Sequence, residues 1–115
     1  MKICFVIPTF NDEASLKKLI DNINKELINF TLNFIIVDDF SKDDYKTLTS
    51  VQKIDLIKLE KNQGSQKAIS IGLQHAKDKN LEFDYLIVMD SDGEDRPIDL
   101  QLLISEAHKK NDNYI

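Results

Sequence analysis

The sequence of 115 residues has one cysteine, three glycines, two prolines and no tryptophan. A single cysteine excludes an internal disulfide, and the place of Cys4 inside Ile3-Cys4-Phe5-Val6-Ile7 predicts a buried small hydrophobe. So little glycine and proline excludes a collagenous or low-complexity chain, and makes each such residue a marked position. No basic run is present: 15 lysines and arginines are interspersed with 20 acids, for a formal net charge of −5. That balance carries neither a nucleic-acid footprint nor a basic membrane-surface helix, so no nucleic-acid partner is expected. No apolar run approaches the roughly 18 residues of a membrane span, and the apolar start is closed too soon by Pro8 for a signal peptide. A cytoplasmic location is therefore the expectation.

What is present is an alternation of short apolar runs and longer amphipathic ones, on a length that predicts one domain over 1–115. Ile3 to Ile7, closed by Pro8, reads as a strand buried on both faces. From Asn11 the period changes: Leu16, Leu19, Ile20, Ile23 and Leu27 fall at helical spacing, with Asn11 or Asp12 available as a cap. Phe34 to Val37 is a second buried strand and Ile54 to Leu59 a third, half-exposed as at a sheet edge. Tyr45 to Val51 is a weak helical stretch. Asn62 to Ser65 makes a turn, after which Ala68, Ile69, Gly72, Leu73 and Ala76 line one side of a helix. Tyr85 to Met89 is the fourth strand, and Leu100, Leu103, Ile104 and Ala107 mark the last helix, with Pro97 before it. Strands and helices alternating in this way call for a doubly wound, mainly parallel α/β sheet with helices on both faces.

Ligands of such sheets sit outside the carboxyl ends of the strands, near the switch in strand order. Every polar motif of the chain falls at such an end: Pro8 to Glu13, Asp38 to Asp44, Asn62 to Lys67 and Asp90 to Arg96. In the last of these, Asp90-Ser91-Asp92 sets two carboxylates one residue apart on a tight loop. Such a pair can turn toward one Mg²⁺ or Mn²⁺ that keeps open positions for phosphate oxygens. A solvated acidic loop before a helix is the simpler alternative for that stretch alone. It does not account for polar motifs gathering at all four strand ends.

Taken together, Val6-Ile7-Pro8-Thr9-Phe10-Asn11-Asp12, Ile36-Val37-Asp38-Asp39-Phe40-Ser41-Lys42-Asp43, Asn62-Gln63-Gly64 through Ala68 to Gly72, and Asp90-Ser91-Asp92 resemble the nucleotide-binding half of family 2 glycosyltransferases of the GT-A fold. Dolichyl- and polyprenyl-phosphate sugar transferases are the nearest in flavour, and the likeness covers nearly the whole chain. Phe10 stands where tyrosine is usual, Asp12 where glutamate is usual, and Phe40 where glycine is usual. The resemblance implies that Pro8, Thr9, Phe10 and Asp12 wall a base and ribose pocket, that Asp39 accepts a hydrogen bond from the base, and that Gly64 lets backbone approach the nucleotide. It implies Asp92 as the metal ligand, with Asp90 acting on ribose or through water; Lys67 would meet phosphate or remain a surface lysine. Glu94, Asp95 and Arg96 read as loop and helix-start residues, and Tyr85, His75 and His108 as packing or surface.

The implied reaction is transfer, with inversion, of a sugar from a UDP- or GDP-linked donor to a hydroxyl or lipid-phosphate acceptor. Its catalytic base is expected beyond residue 115, so this stretch alone is expected to be inactive. A membrane-associated full-length protein and a self-associating, dimeric 115-residue piece complete the expectations. Two other readings compete. A phosphoacceptor receiver domain has the right size, but its acid pair would follow the first strand, and here the pair follows the second. A nucleotide-binding module without catalysis keeps the fold and drops the chemistry. An EF-hand fails outright, because counting from Asp90 the glycine falls at position four and position twelve is Gln101.

Overall fold

A computed structural model of the chain describes residues 1–42, 45, 46, 48, 54–91 and 99–110, the side chains of 108 and 110 excepted. Four strands, β1 (Lys2–Thr9), β2 (Thr31–Asp38), β3 (Ile54–Lys58) and β4 (Tyr85–Val88), make one sheet in the order β3-β2-β1-β4. All three pairings are parallel. The central place of β1 explains its unbroken apolar run: from Ile3 to Thr9 every residue is buried, as a strand covered on both faces requires. Its partner β2 begins earlier than the apolar run Phe34 to Val37 suggests, because the ladder with β1 starts at Lys2 opposite Thr31. Strand β3 is an edge in which Ile54 to Ile57 are partly buried and Lys58 is exposed, as its half-exposed pattern predicts, and β4 forms the other edge.

Helices α1 (Glu13–Glu26) and α3 (Leu100–Lys110) cover one face and α2 (Ser65–Asp78) covers the other. The first face is built from large side chains: Leu16, Leu19, Ile20, Ile23 and Leu27 with Leu100 and Ile104, over Ile3, Phe5, Ile7, Phe34 and Ile36. Phe5 and Phe34, opposite each other in the ladder, stack with ring centroids 5.2 Å apart. The second face is thin. Ala68, Gly72 and Ala76 are the buried residues of α2, and a Cβ placed on Gly72 would lie 2.5 Å from Val6 Cγ1 and 3.2 Å from Val37 Cγ2. Only glycine fits there, so α2 lies almost directly on the strands.

That close approach corrects part of the expected helical stripe. Leu73 is exposed and Ile71 instead packs against the core, because small residues hold the centre of the contact and larger ones are admitted only at its flank. Likewise Leu103 is exposed in α3, where Leu100, Ile104 and Ala107 are buried. The helix expected over Tyr45 to Val51 lies mostly outside the described residues; Tyr45 itself has φ +56 and is not helical. Cys4 is buried and free, and burial pushes its thiol up from 9.0 to about 11.

From β1 the chain winds outward through β2 to β3, then returns to place β4 on the other side of β1. The connections after β1 and β4 therefore diverge and open a crevice at their carboxyl ends. A receiver domain, with its flavodoxin-like order, would set β1 between β2 and β3. Here β1 lies between β2 and β4, which removes that reading.

Candidate active site

At the carboxyl end of the sheet an open cleft of about 480 Å³ is lined by Pro8, Thr9, Phe10, Asp39, Asn62, Gly64, Ser65, Asp90 and Ser91. These come from all four strand-end loops, the convergence expected of this winding. Of the residues predicted from sequence, Pro8, Thr9, Phe10, Asp39, Gly64 and Asp90 lie together on its wall. Lys67 is exposed in the first turn of α2, and neither it nor Asp12 is among the lining residues. Asp92, with Glu94, Asp95, Arg96 and Pro97, falls outside the described residues, and so do Asp43 and Asp44.

The two adjacent aspartates at the end of β2 do different work. Asp38 is fully buried and is the hub of a polar cluster: Oδ1 accepts from Ser41 Oγ at 2.6 Å and from the Tyr45 hydroxyl at 2.7 Å. Oδ2 accepts from the Ser41 N–H at 3.3 Å, with Lys58 Nζ at 3.9 Å. Lys58 also stands over the Tyr45 ring, 5.5 Å from its centroid. Burial above all raises the Tyr45 phenol beyond the usual tyrosine range, and the Asp38 carboxylate adds to the rise while Ser41 opposes it. Thr9 Oγ1 is buried near the same phenol without a completed hydrogen bond among the described residues.

Asp39 faces the cleft. Its Oδ1 accepts the Gln63 N–H at 2.7 Å and its Oδ2 the Gly64 N–H at 2.9 Å, so it draws the loop after β3 against the end of β2. A carboxylate offers about four acceptor positions; these two bonds leave capacity for a ligand's N–H donors. Gly64, at φ +89, adopts a conformation that other residues reach only under strain, though nothing would touch its Cβ. Its carbonyl accepts the Ala68 N–H at 3.0 Å to open α2. No acidic residue occupies the first turn of that helix, and among the described residues no side chain caps it. The N-terminal N–H groups are thereby presented beside the cleft, where they favour an anion.

Contacts that the sequence pattern did not indicate complete the frame. The expected cap does not form among the described residues, since Asp12 stands at the N-cap of α1 without a side-chain cap hydrogen bond. Asn11 Oδ1 accepts the Lys42 N–H at 3.1 Å, and Glu13 Oε1 accepts the Tyr45 N–H at 2.8 Å, tying the start of α1 to the loop after β2. Ser91 Oγ donates to Asp12 Oδ2 at 3.3 Å, which joins the end of β4 to the same helix start. Glu13 carried a signal, an acid beside Asp12 in the first strand-end motif. Nothing in the pattern pointed to Tyr45, because its packing is set by a hydrogen bond and not by periodicity. Phe40 has φ +68, the left-handed conformation that favours glycine. The bulky residue standing there is a genuine departure. His75 pairs with Asp55, Nε2 to Oδ2 at 3.0 Å, on the α2 side of β3 and away from the cleft. Tyr85 is buried in the core, and the side chain of His108 lies outside the described residues.

A half-sheet wound outward from β1, with a polar cleft at its switch point and a glycine-led helix beside it, defines an α/β domain with a ligand cleft at the carboxyl end of its sheet. Residues 4–115 match the sequence model of glycosyl transferase family 2, and the chain belongs to that family. It is 28% identical over 116 residues to the dolichol-phosphate mannosyltransferase of Pyrococcus furiosus, covering 97% of this chain and 32% of that protein. In fold it is similar to TarS residues 1–349 of S. aureus, with TM-score 0.70, 22% identity and coverage of 96% of this chain and 33% of that one. TarS has also been solved with UDP-GlcNAc. The mannosyltransferase PcManGT of Pyrobaculum calidifontis, solved with GDP-Man and Mn²⁺, is similar over 78% of this chain and 27% of that one, with TM-score 0.59 and 19% identity. The chain spans between 32% and 47% of the length of two curated relatives it matches. Among the described residues no helix is long and apolar enough to cross a membrane.

Proposed function

We propose that this chain is the donor-binding portion of a metal-dependent, inverting glycosyltransferase, and that the cleft holds a UDP- or GDP-linked sugar. The observation that carries the reading is the convergence of Phe10, Asp39, Gly64 and Asp90 on one cleft. Asp39 supplies an acceptor for the base: uracil N3–H, or the N1–H and amino group of guanine, are donors that a carboxylate satisfies. Phe10 gives the base an apolar face. The N-terminal N–H groups of α2, reinforced by Lys67 nearby, receive diphosphate oxygens.

The donor set fits a hard divalent cation. Asp90 reaches the cleft, and among the described residues no group of three acidic, His or Cys side chains forms a closed cage. An Mg²⁺ or Mn²⁺ ion bound by one or two carboxylates together with substrate phosphates needs no such cage. Asp92 and Asp90 would hold it, and when bound it would neutralise charge growing on the departing diphosphate. Asp39 and the Gln63–Gly64 backbone orient the nucleoside of the donor. The acceptor is a hydroxyl or lipid phosphate, with the dolichol-phosphate chemistry of the Pyrococcus relative as the guide, and the whole protein then works at a membrane's cytoplasmic face.

A thermal-shift panel of UDP, GDP, CDP and ADP, each with and without Mn²⁺, tests the reading. Stabilisation by UDP or GDP that requires Mn²⁺ is the expected result. No stabilisation by any diphosphate under either condition would overturn it.

A further inference from the structure

Two phenylalanines, Phe10 and Phe40, stand exposed at the mouth end of the sheet, 49% and 57% accessible, where a core-forming residue has no structural reason to be. Each directly follows a partner of the last hydrogen bond between β1 and β2, in which the Asp39 N–H donates to the Thr9 carbonyl at 2.8 Å. The loops carrying them are laced a second time by Lys42 N–H to Asn11 Oδ1 at 3.1 Å. Phe40 is also fixed from both sides within its own loop. Asp39 is tied to Gln63 and Gly64, its carbonyl accepts from Asn62 Nδ2 at 3.3 Å, and Ser41 is bonded twice to the buried Asp38.

A bulky residue held in the left-handed region is unfavourable by itself and persists only where its surroundings over-determine it; such outliers concentrate at ligand sites. Phe40 has no burial to compensate the strain. Its ring lies outside the wall of the cleft, next in sequence to the carboxylate proposed to face the base, so it becomes a contact surface for a planar ligand held beside Asp39.

We propose that Phe40 is a further base-binding residue that closes with Phe10 on the base of the bound nucleotide, making a two-ring jaw in which the base stacks while Asp39 reads its edge. This rests on the nucleotide-sugar reading above and goes beyond it in assigning the base contact to a second ring. Stacking on an aromatic ring is tolerant of which base is bound. The jaw therefore adds affinity for nucleosides over bare diphosphate, and Asp39 supplies the choice among bases.

Calorimetric titration of the 115-residue chain with UDP, GDP and inorganic pyrophosphate, all with Mn²⁺, tests this in the parent, Phe40→Gly and Phe40→Tyr. Glycine adopts φ +68 without cost, so Phe40→Gly is expected to melt no lower than the parent. It is expected to bind UDP and GDP about tenfold more weakly, equal to about 1.4 kcal/mol, with pyrophosphate affinity unchanged and with Phe40→Tyr retaining parental binding. If the parent binds the diphosphates and Phe40→Gly binds them equally well, the jaw is refuted and the nucleotide reading stands. Equal losses for pyrophosphate and nucleotides would also refute it. If the parent binds neither UDP nor GDP, both fall together.

Discussion

The two faces of the sheet are held by opposite means. On the α1 and α3 side large aliphatic side chains fill a deep layer, whereas on the α2 side Ala68, Gly72 and Ala76 bring a helix almost onto the strands. The thick face is a core that would serve many functions. The thin face sets the height of α2 over the sheet, and with it the position of Gly64 and Ser65 on the cleft wall. One face should therefore break by subtraction and the other by addition. Leu16→Ala, at a fully buried position, is expected to lower stability by about 2–5 kcal/mol in urea denaturation, with little change in nucleotide affinity where the fold persists. Gly72→Ala adds one methyl where Val6 Cγ1 already stands 2.5 Å away. It is expected to destabilise by about 1–3 kcal/mol through crowding, outweighing the roughly 1 kcal/mol that alanine gains over glycine in a helix. Unlike Leu16→Ala it should also weaken nucleoside diphosphate binding, because relief of the clash displaces the start of α2. A neutral or stabilised Gly72→Ala in the same titration would show that the two faces do not differ in this way.

A second contrast lies within one dipeptide. Asp38 is sealed beneath the cleft and holds Tyr45 and Ser41, while its neighbour Asp39 faces the ligand space and holds Gln63 and Gly64. Tyr45→Phe removes one donor from a buried carboxylate and is expected to cost about 1–3 kcal/mol of stability in thermal unfolding, with the base preference of the chain unchanged. A changed UDP-to-GDP preference in that variant would mean that the buried aspartate shapes the pocket directly.

The smallest expected effect is at alkaline pH. The Cys4 thiol is raised in the folded chain from 9.0 to about 11. A raised thiol value means that the unfolded chain ionises first, so the associated stability is present below pH 9 and is lost as pH rises toward 11. The Tyr45 phenol, raised by burial as well, carries the same sign at still higher pH. Cys4→Ala is expected to flatten the decline of stability between pH 9 and 11 in denaturant titrations. An unaltered slope would show that the thiol does not contribute to it.

Much of this was legible in the residue pattern. Continuous apolar runs marked β1, β2 and β4, the half-exposed Ile54 to Leu59 marked an edge, and the clustering of polar motifs after each strand located the cleft. Three things were not legible. The packing stripe of α2 was misread at Leu73 because periodicity counts apolar residues, while closeness of approach is decided by the smallest, Gly72. The role of Tyr45 was hidden because a buried phenol satisfied by a carboxylate seven residues earlier leaves no periodic trace. The buried role of Asp38 was hidden as well: the resemblance singled out Asp39 for the cleft, but that its neighbour turns inward to hold Tyr45 and Ser41 follows only from the register of the strand end.

The central claim is that Asp39 governs the base and not the metal-bound diphosphate. Calorimetry of UDP, GDP and pyrophosphate with Mn²⁺ on the parent and on Asp39→Asn addresses it most directly, since the amide keeps the size of the side chain and one acceptor oxygen for the Gln63–Gly64 loop. The account predicts UDP and GDP affinities reduced about tenfold or more, as for loss of a charge-assisted hydrogen bond, with pyrophosphate affinity and the Mn²⁺ requirement retained. Parental affinity for both nucleotides in Asp39→Asn, or a loss shared equally by pyrophosphate, would contradict it.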